Sequence, residues 1–230
     1  ATIQAGRDLL VTTFDRDRKV GVLYRIVDGR AELLAGGTPA PGETALFRQP
    51  EGVAADSAGR IYVADRGQGA IVRLDASGRL LEKRWVTVRR PRLLAIDDTD
   101  QLWIGSDGDA EAPWQRGPGE IWKVTREGLP SLVLRGPVPA GMGFGPAGQL
   151  FVADRQGGKV SMLTPAGKVV DFASFTEGDA PRGLCFPPIT PETRKAGIAG
   201  ALFVTMIRRG GWPTNEVVRI SGPFDDIRAR

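Results

Sequence analysis

Residues 50–66 read PEGVAADSAGRIYVADR, and residues 139–155 read PAGMGFGPAGQLFVADR. A pattern written twice in one chain marks a repeat architecture, in which each copy is a small unit that buries its apolar face only by stacking on the next. Shorter echoes extend it. The opening Pro and its small apolar run recur as PRLLAID from Pro91 and PRGLCFP from Pro181. A β-rich apolar run follows each time: LLVTTF from Leu9, IYVADR from Ile61, LWIGSD from Leu102, LFVADR from Leu150 and LFVTMI from Leu202. A third, alternating run comes next, as VLYRIV from Val22, AIVRLD from Ala70, EIWKVT from Glu120, KVSMLT from Lys159 and EVVRIS from Glu216.

Asp- and Gly-containing turns such as DSAGR, DASGR and GPAGQ separate these runs, and AELLAG, RLLEKRW, SLVLRG and KVVDFA supply fourth strands. Such turns join antiparallel neighbours, so each module is a four-stranded meander. Four strands at this period, with no amphipathic helical pattern, predict an all-β fold: a β-propeller of four-stranded blades with five modules visible, and an incomplete six-bladed propeller as the alternative. A β-sandwich is the competing all-β fold, but it requires no such period. The expected organisation is one propeller domain over residues 1–230, with blades at about 1–37, 50–86, 91–136, 139–175 and 181–230.

Composition narrows the chemistry. The 230 residues contain no histidine, which excludes histidine general bases, serine–histidine and cysteine–histidine nucleophiles and histidine-bound zinc. Cys185 is the one cysteine, so no intrachain disulfide forms; within GLCF it is expected in the core. The net charge of +4 comes from arginines spread along the chain, not from a dense basic run. Nucleic-acid binding is therefore not the expected function, and no apolar run is long enough for a membrane span. A chain beginning at Ala1 suggests a processed, periplasmic or secreted protein.

PEGVAADSAGRIYVADRGQGAIVRLDASG, residues 50–78, resembles an NHL-type repeat and is similar to the blades of gluconolactonase-like (senescence marker protein) propellers. That resemblance implies a divalent cation, calcium among the candidates, at the channel mouth, where it would polarise a lactone carbonyl while a carboxylate activates water. Of the implied ligands only Glu51 carries over; Ala140 and Arg182 stand where carboxylate or amide ligands are expected. ALFVTMIRRGGWPTNEVVRI from Ala201 resembles, more distantly, the last blade of quinone-dependent sorbosone and glucose dehydrogenases, which look to a histidine base that is absent here.

In a propeller the residue after each blade's first Pro and the end of each second strand are expected at one face. That face would gather Glu51, Arg92 and Arg182 with Arg66 and Arg155. Two longer loops would add Trp114 and Arg116, and Arg208 and Trp212. Arginine forks pair with carboxylate or phosphate, and tryptophan offers a flat apolar surface. These residues are the candidate site for an anionic small molecule, a sugar acid or a protein partner. A lactonase-like hydrolase with a degenerate metal site is the alternative. Asp65 and Asp154 read as structural acceptors for neighbouring backbone N–H groups. The loop DGDAE, from Asp107, reads as a solvated turn, and the structural alternative to a ligand site is that Trp114 and Trp212 pack loops onto blades while the arginines pair with Asp107, Asp109 and Glu111.

Overall fold

The computed structural model describes residues 2–3, 8–109, 115, 117–164, 166–176, 178–208, 216–222 and 224, with side chains from residue 8 onward. The first sheet contains β1 (Thr2–Ile3), β2 (Leu9–Asp15), β3 (Val20–Val27) and β4 (Arg30–Gly36), and the second β5 (Pro50–Ala55), β6 (Ile61–Asp65), β7 (Ala70–Leu74) and β8 (Leu80–Thr87). The third contains β9 (Pro91–Ile96), β10 (Leu102–Ser106), β11 (Gly119–Val124) and β12 (Pro130–Gly136). The fourth follows with β13 (Pro139–Phe144), β14 (Leu150–Asp154), β15 (Lys159–Leu163) and β16 (Val169–Ser174). The fifth has three strands among the described residues, β17 (Ala180–Cys185), β18 (Leu202–Ile207) and β19 (Glu216–Ile220). Strand order follows chain order in every sheet, so each is a meander, and the fold is an all-β propeller of five blades.

The chain forms two compact units, Ala1–Glu111 with Ile121–Leu134, and Ala112–Glu120 with Arg135–Arg230. In the first unit, Leu10 and Leu23 of blade one meet Val53, Ile61, Val63 and Val72 of blade two. On its opposite side blade two turns Tyr62, Ala64 and Ile71 toward Leu102, Ile104 and Val124 of blade three. In the second unit, Phe151, Val160 and Met162 of blade four pack on Leu202, Val204 and Met206 of blade five. Alternate residues of one strand thus serve two different cores.

The glycine of Pro-X-Gly sets how closely blades approach. A β-carbon on Gly52 would lie 2.6 Å from the Arg92 carbonyl oxygen, and one on Gly141 would lie 2.6 Å from the Arg182 oxygen. Both contacts are to backbone, so neither can be relieved by a rotamer change.

The turns carry the repeat's other signature. Asp56 accepts from the backbone N–H groups of Ala58 and Arg60 and from the Tyr62 hydroxyl, while Gly59 takes φ of 77° to close the turn. Asp75 and Asp97 close the equivalent turns. Hydrogen bonds from Ser77 and Arg79 hold the Asp75 carboxyl at about 2. Burial alone would raise that of Asp97, but hydrogen bonds from Trp103 and Thr99 outweigh it and hold it below its ordinary value.

Two features depart from the sequence reading. A short helix, α1 (Pro191–Lys195), interrupts the connection from β17 to β18; Thr190 caps it, with Thr193 completing a reciprocal capping box and Pro191 preset for the first turn. Cys185, expected in the core, is exposed, because Leu184 takes the inward side of β17. No helix among the described residues is long and apolar enough to cross a membrane.

Replacing Gly52 or Gly141 with Ala is expected to cost about 1–3 kcal/mol through overpacking, read as a lowered urea midpoint. Asp75 and Asp97 have depressed folded values, so their stabilisation is full above the unfolded value near 4 and is lost as pH falls through the folded value. Urea midpoints are therefore expected to hold from neutrality to about pH 4.5 and to drop toward pH 2, with a shallower acid slope in Asp97→Asn.

Candidate functional site

Four first strands share an irregularity that no sequence pattern announces. Pro50 pairs with Asp65, but the next paired residue is Val53; Pro91 pairs with Ser106 and Leu93 with Gly105; Pro139 with Asp154 and Gly141 with Ala153; Pro181 with Met206 and Leu184 with Val204. Each first strand therefore bulges just after its proline, and the bulge takes Glu51, Arg92, Ala140 and Arg182 out of the ladder. Bulges of this kind re-aim side chains at sheet ends.

The second-strand ends are fixed from behind. Asp65, fully buried, accepts from the backbone N–H groups of Arg48 at 2.7 Å, Gln49 at 3.0 Å and Gln68 at 3.0 Å, and from the Gln68 side-chain amide at 2.7 Å. Asp154 similarly accepts from Val138 and Gln156. In blade three the same place is taken by Ser106, which donates to the Arg89 carbonyl and accepts from the Gly108 N–H. These latches secure the linker into each blade, so the residue just beyond each latch has a fixed origin.

In the first unit four charged side chains converge. Arg92 Nε lies 3.2 Å from Glu51 Oε2, and its Nη1 lies 3.5 Å from Asp107 Oδ1. Arg66 Nε lies 3.8 Å from Glu51 Oε1 and 3.5 Å from Asp107 Oδ2. The Gln49 side-chain amide donates to Glu51 at 3.4 Å. Asp107 has a side-chain exposure of only 1%, which corrects the solvated-turn reading at that residue, whereas Asp109, 72% exposed, faces water. A buried carboxylate is tolerable only when paired, and here both arginines serve it. Blade two contributes an acid after its proline and a base beyond its second strand; blade three contributes the reverse. The result is a checkerboard of alternating charge.

In the second unit, Arg155 is buried at the end of β14, and its backbone N–H donates to the Val138 carbonyl. Arg208 bridges Asp179 and Glu216. Arg182 lines a cavity of about 380 Å³ together with Thr205, Met206 and Val217. Trp114, Arg116 and Trp212 lie outside the described residues. The structure thus brings Glu51, Arg66 and Arg92 into one cluster around Asp107. Asp179 and Glu216 were not singled out by sequence; the only signal was their position beside the linker and strand that flank Arg208.

The residues of the first-unit cluster do not fit a divalent cation. Hard cations require several oxygen ligands, whereas the Glu51 carboxylate is bracketed by two guanidinium groups. Among the described residues no three Asp, Glu, His or Cys side chains gather into a ligand set.

Comparison with known proteins follows the same line. An NHL-repeat family profile matches residues 47–74. No curated protein sequence matches the chain. Regucalcin from Agrobacterium tumefaciens, a calcium-binding protein, superimposes with a TM-score of 0.59 at 17% identity, over 92% of this chain and 73% of that one. Virginiamycin B lyase from Staphylococcus aureus gives 0.54 at 15% identity, over 93% and 70%. A protein assigned as a gluconolactonase gives 0.55 at 15% identity, over 84% and 70%. At such identities the likeness is one of fold.

Proposed function

We propose that this chain, an NHL- and gluconolactonase-like β-propeller, is a binding module, with residues 1–230 acting as one domain, and that Arg66 and Arg92 receive a small anion bearing a carboxylate, such as a sugar acid. The observation that carries this reading is the spacing of the first-unit cluster. The guanidinium–carboxylate contacts of Arg66 and Arg92 with Glu51 and Asp107 include four that run from 3.2 to 3.8 Å. Charge-assisted hydrogen bonds of full strength run near 2.7–2.9 Å. Two arginine forks are therefore already oriented toward carboxylates, on bulged and latched strands, at distances a ligand carboxylate can improve upon. Glu51 acts in this reading as a resident competitor: it keeps the guanidinium pair neutralised and in place, and it yields to the incoming anion. Preorganised arginines lose little side-chain freedom on binding, which favours affinity. Arg155, Arg182 and Arg208 extend the same chemistry in the second unit, and a protein partner presenting an acidic side chain would meet the same groups.

A second reading, a lactonase-like hydrolase with a degenerate divalent-metal site, is supported by Glu51 in Pro-Glu-Gly and by the likeness to regucalcin and the gluconolactonase. The pairing of Glu51 with two arginines ranks it second.

Titration calorimetry against a panel of sugar acids and the matching neutral sugars distinguishes the two. Binding of an acid is expected to weaken about tenfold or more in Arg92→Ala, since each charged hydrogen bond is worth about 1.5–3 kcal/mol, and to tighten in Glu51→Gln. Acid affinities unchanged in Arg92→Ala would overturn the anion site. Thermal melting in millimolar calcium and in chelator is expected to coincide. A site half-filled at one hundredth of the calcium present would add about 2.7 kcal/mol, a rise of several degrees that would promote the hydrolase reading.

A further inference from the structure

The latches at the second-strand ends have two polarities. Register aligns Asp65, Ser106 and Asp154, each of which pairs with the proline that opens its blade. In blades two and four the residue before that proline donates its backbone N–H to the latch, Gln49 to Asp65 at 3.0 Å and Val138 to Asp154 at 3.2 Å. In blade three the bond runs the other way. Ser106 Oγ donates to the Arg89 carbonyl at 2.6 Å, because the same hydroxyl already accepts from the Gly108 N–H at 2.9 Å. The next bond along is unchanged. In all three blades the residue after the latch donates its N–H to the carbonyl of the residue before the proline: Arg66 to Gln49 at 2.9 Å, Asp107 to Arg90 at 3.3 Å and Arg155 to Val138 at 3.2 Å.

Between these preserved bonds a single peptide is turned over, the one joining Arg89 and Arg90, whose carbonyl stands where its counterparts present an N–H. Turning a peptide over in place rotates φ of its second residue by about half a turn, which carries an extended residue into the left-handed region. Arg90 has φ of 48°, whereas Gln49 and Val138 stay outside that region. A residue with a β-carbon is held there only by its partners. Ser106 holds the backbone, the Arg90 guanidinium donates to the Gly108 and Asp109 carbonyls, and Arg89 pairs with the Asp109 side chain. The linker thus grips the chain on both sides of Asp107.

Charge explains the inversion. The latch side chain is buried in all three blades. In blades two and four it is followed by Arg66 or Arg155, which an acidic latch suits. In blade three it is followed by the buried Asp107, and two adjoining buried carboxylates cannot both ionise without mutual repulsion. An acid at residue 107 therefore calls for an uncharged latch, the hydroxyl calls for a carbonyl, and the carbonyl calls for the turned-over peptide.

We propose that Ser106 and Arg90 are positioning residues of the cluster of Glu51, Arg66, Arg92 and Asp107. The donor latch and the left-handed Arg90 together form the backbone device by which blade three presents an acid where blades two and four present arginine. The backbone device stands by itself; its effect on a ligand rests on the anion reading above.

Stability reads the sign of φ at residue 90. Glycine is favoured over alanine where φ is positive, and alanine over glycine where it is negative. Urea midpoints are compared for Arg90→Gly and Arg90→Ala in the wild-type chain and in Ser106→Asp/Asp107→Asn, which restores an acceptor latch without adjoining carboxylates. Glycine is expected to give the higher midpoint in the wild-type background and alanine in the other. The same order in both backgrounds overturns the proposal. Ser106→Ala serves as a third background in case the double variant does not fold: it removes the donor with little change in shape, and glycine's advantage is expected to vanish there. An advantage that persists without the hydroxyl overturns the proposal too. Calorimetry with D-gluconate then reads the site. Binding is expected to weaken severalfold in Ser106→Ala and to be retained in Ser106→Thr, which keeps the hydroxyl. Gluconate affinity unchanged in Ser106→Ala overturns the positioning role, whereas a wild type that binds no sugar acid overturns the anion reading and leaves the midpoint order to decide this one.

Discussion

Within each unit the packing of blades depends on one close approach, the backbone of a first strand lying against the glycine of the preceding blade's Pro-X-Gly. At 2.6 Å from an imagined β-carbon to the Arg92 carbonyl, no side chain of any size fits at Gly52. The approach lets Val53 and Ala54, neighbours on one short strand, reach separate cores on the two sides of blade two. Were the blades further apart, side chains as small as these would not span the gap, and packing would lose the density that makes a stack of small sheets stable.

The same geometry explains why chemistry collects after the prolines. Proline fixes the backbone at the start of each strand, and in blades two and four the glycine two residues on fixes the neighbour, so the residue after the proline is the one free to vary. The bulge then turns it out of the ladder. Glu51, Arg92, Ala140 and Arg182 differ in charge and size at a place where the fold does not constrain them. Chemistry that differs from blade to blade on a scaffold that does not is the usual division of labour in repeat proteins.

The repeat was legible because its signals are local: a proline, alternating apolar residues, and an Asp or Gly turn at fixed offsets. The five sheets begin and end near the residues that those signals mark. Helix α1 was also written locally, as Thr190, Pro191 and Thr193, but a five-residue helix has too little periodicity to stand out beside strands. The charge cluster was half legible. Glu51, Arg66, Arg92 and Asp107 could be placed at one face by analogy between blades, and pairing of arginines with Asp107 could be named, yet the burial of Asp107 could not be read, since DGDAE is polar. What buries it is the convergence of two guanidiniums from residues fifteen and forty-one positions upstream. Cys185 failed for a simpler reason: an apolar tetrapeptide on a strand has two sides, and only register decides which one is covered.

The checkerboard has a consequence for how such a chain can change over generations. Blades two and three carry opposite signs at matched positions, so reversing one charge alone leaves three like charges in contact, a step that costs stability and solubility together. Reversing a contacting pair is no better, since each reversed residue then faces its own sign at its other contact; only reversing all four restores the alternation. Each blade is therefore locked to its neighbour's polarity: these four positions change sign together or not at all, and two blades built on one pattern become complementary halves that can no longer be exchanged.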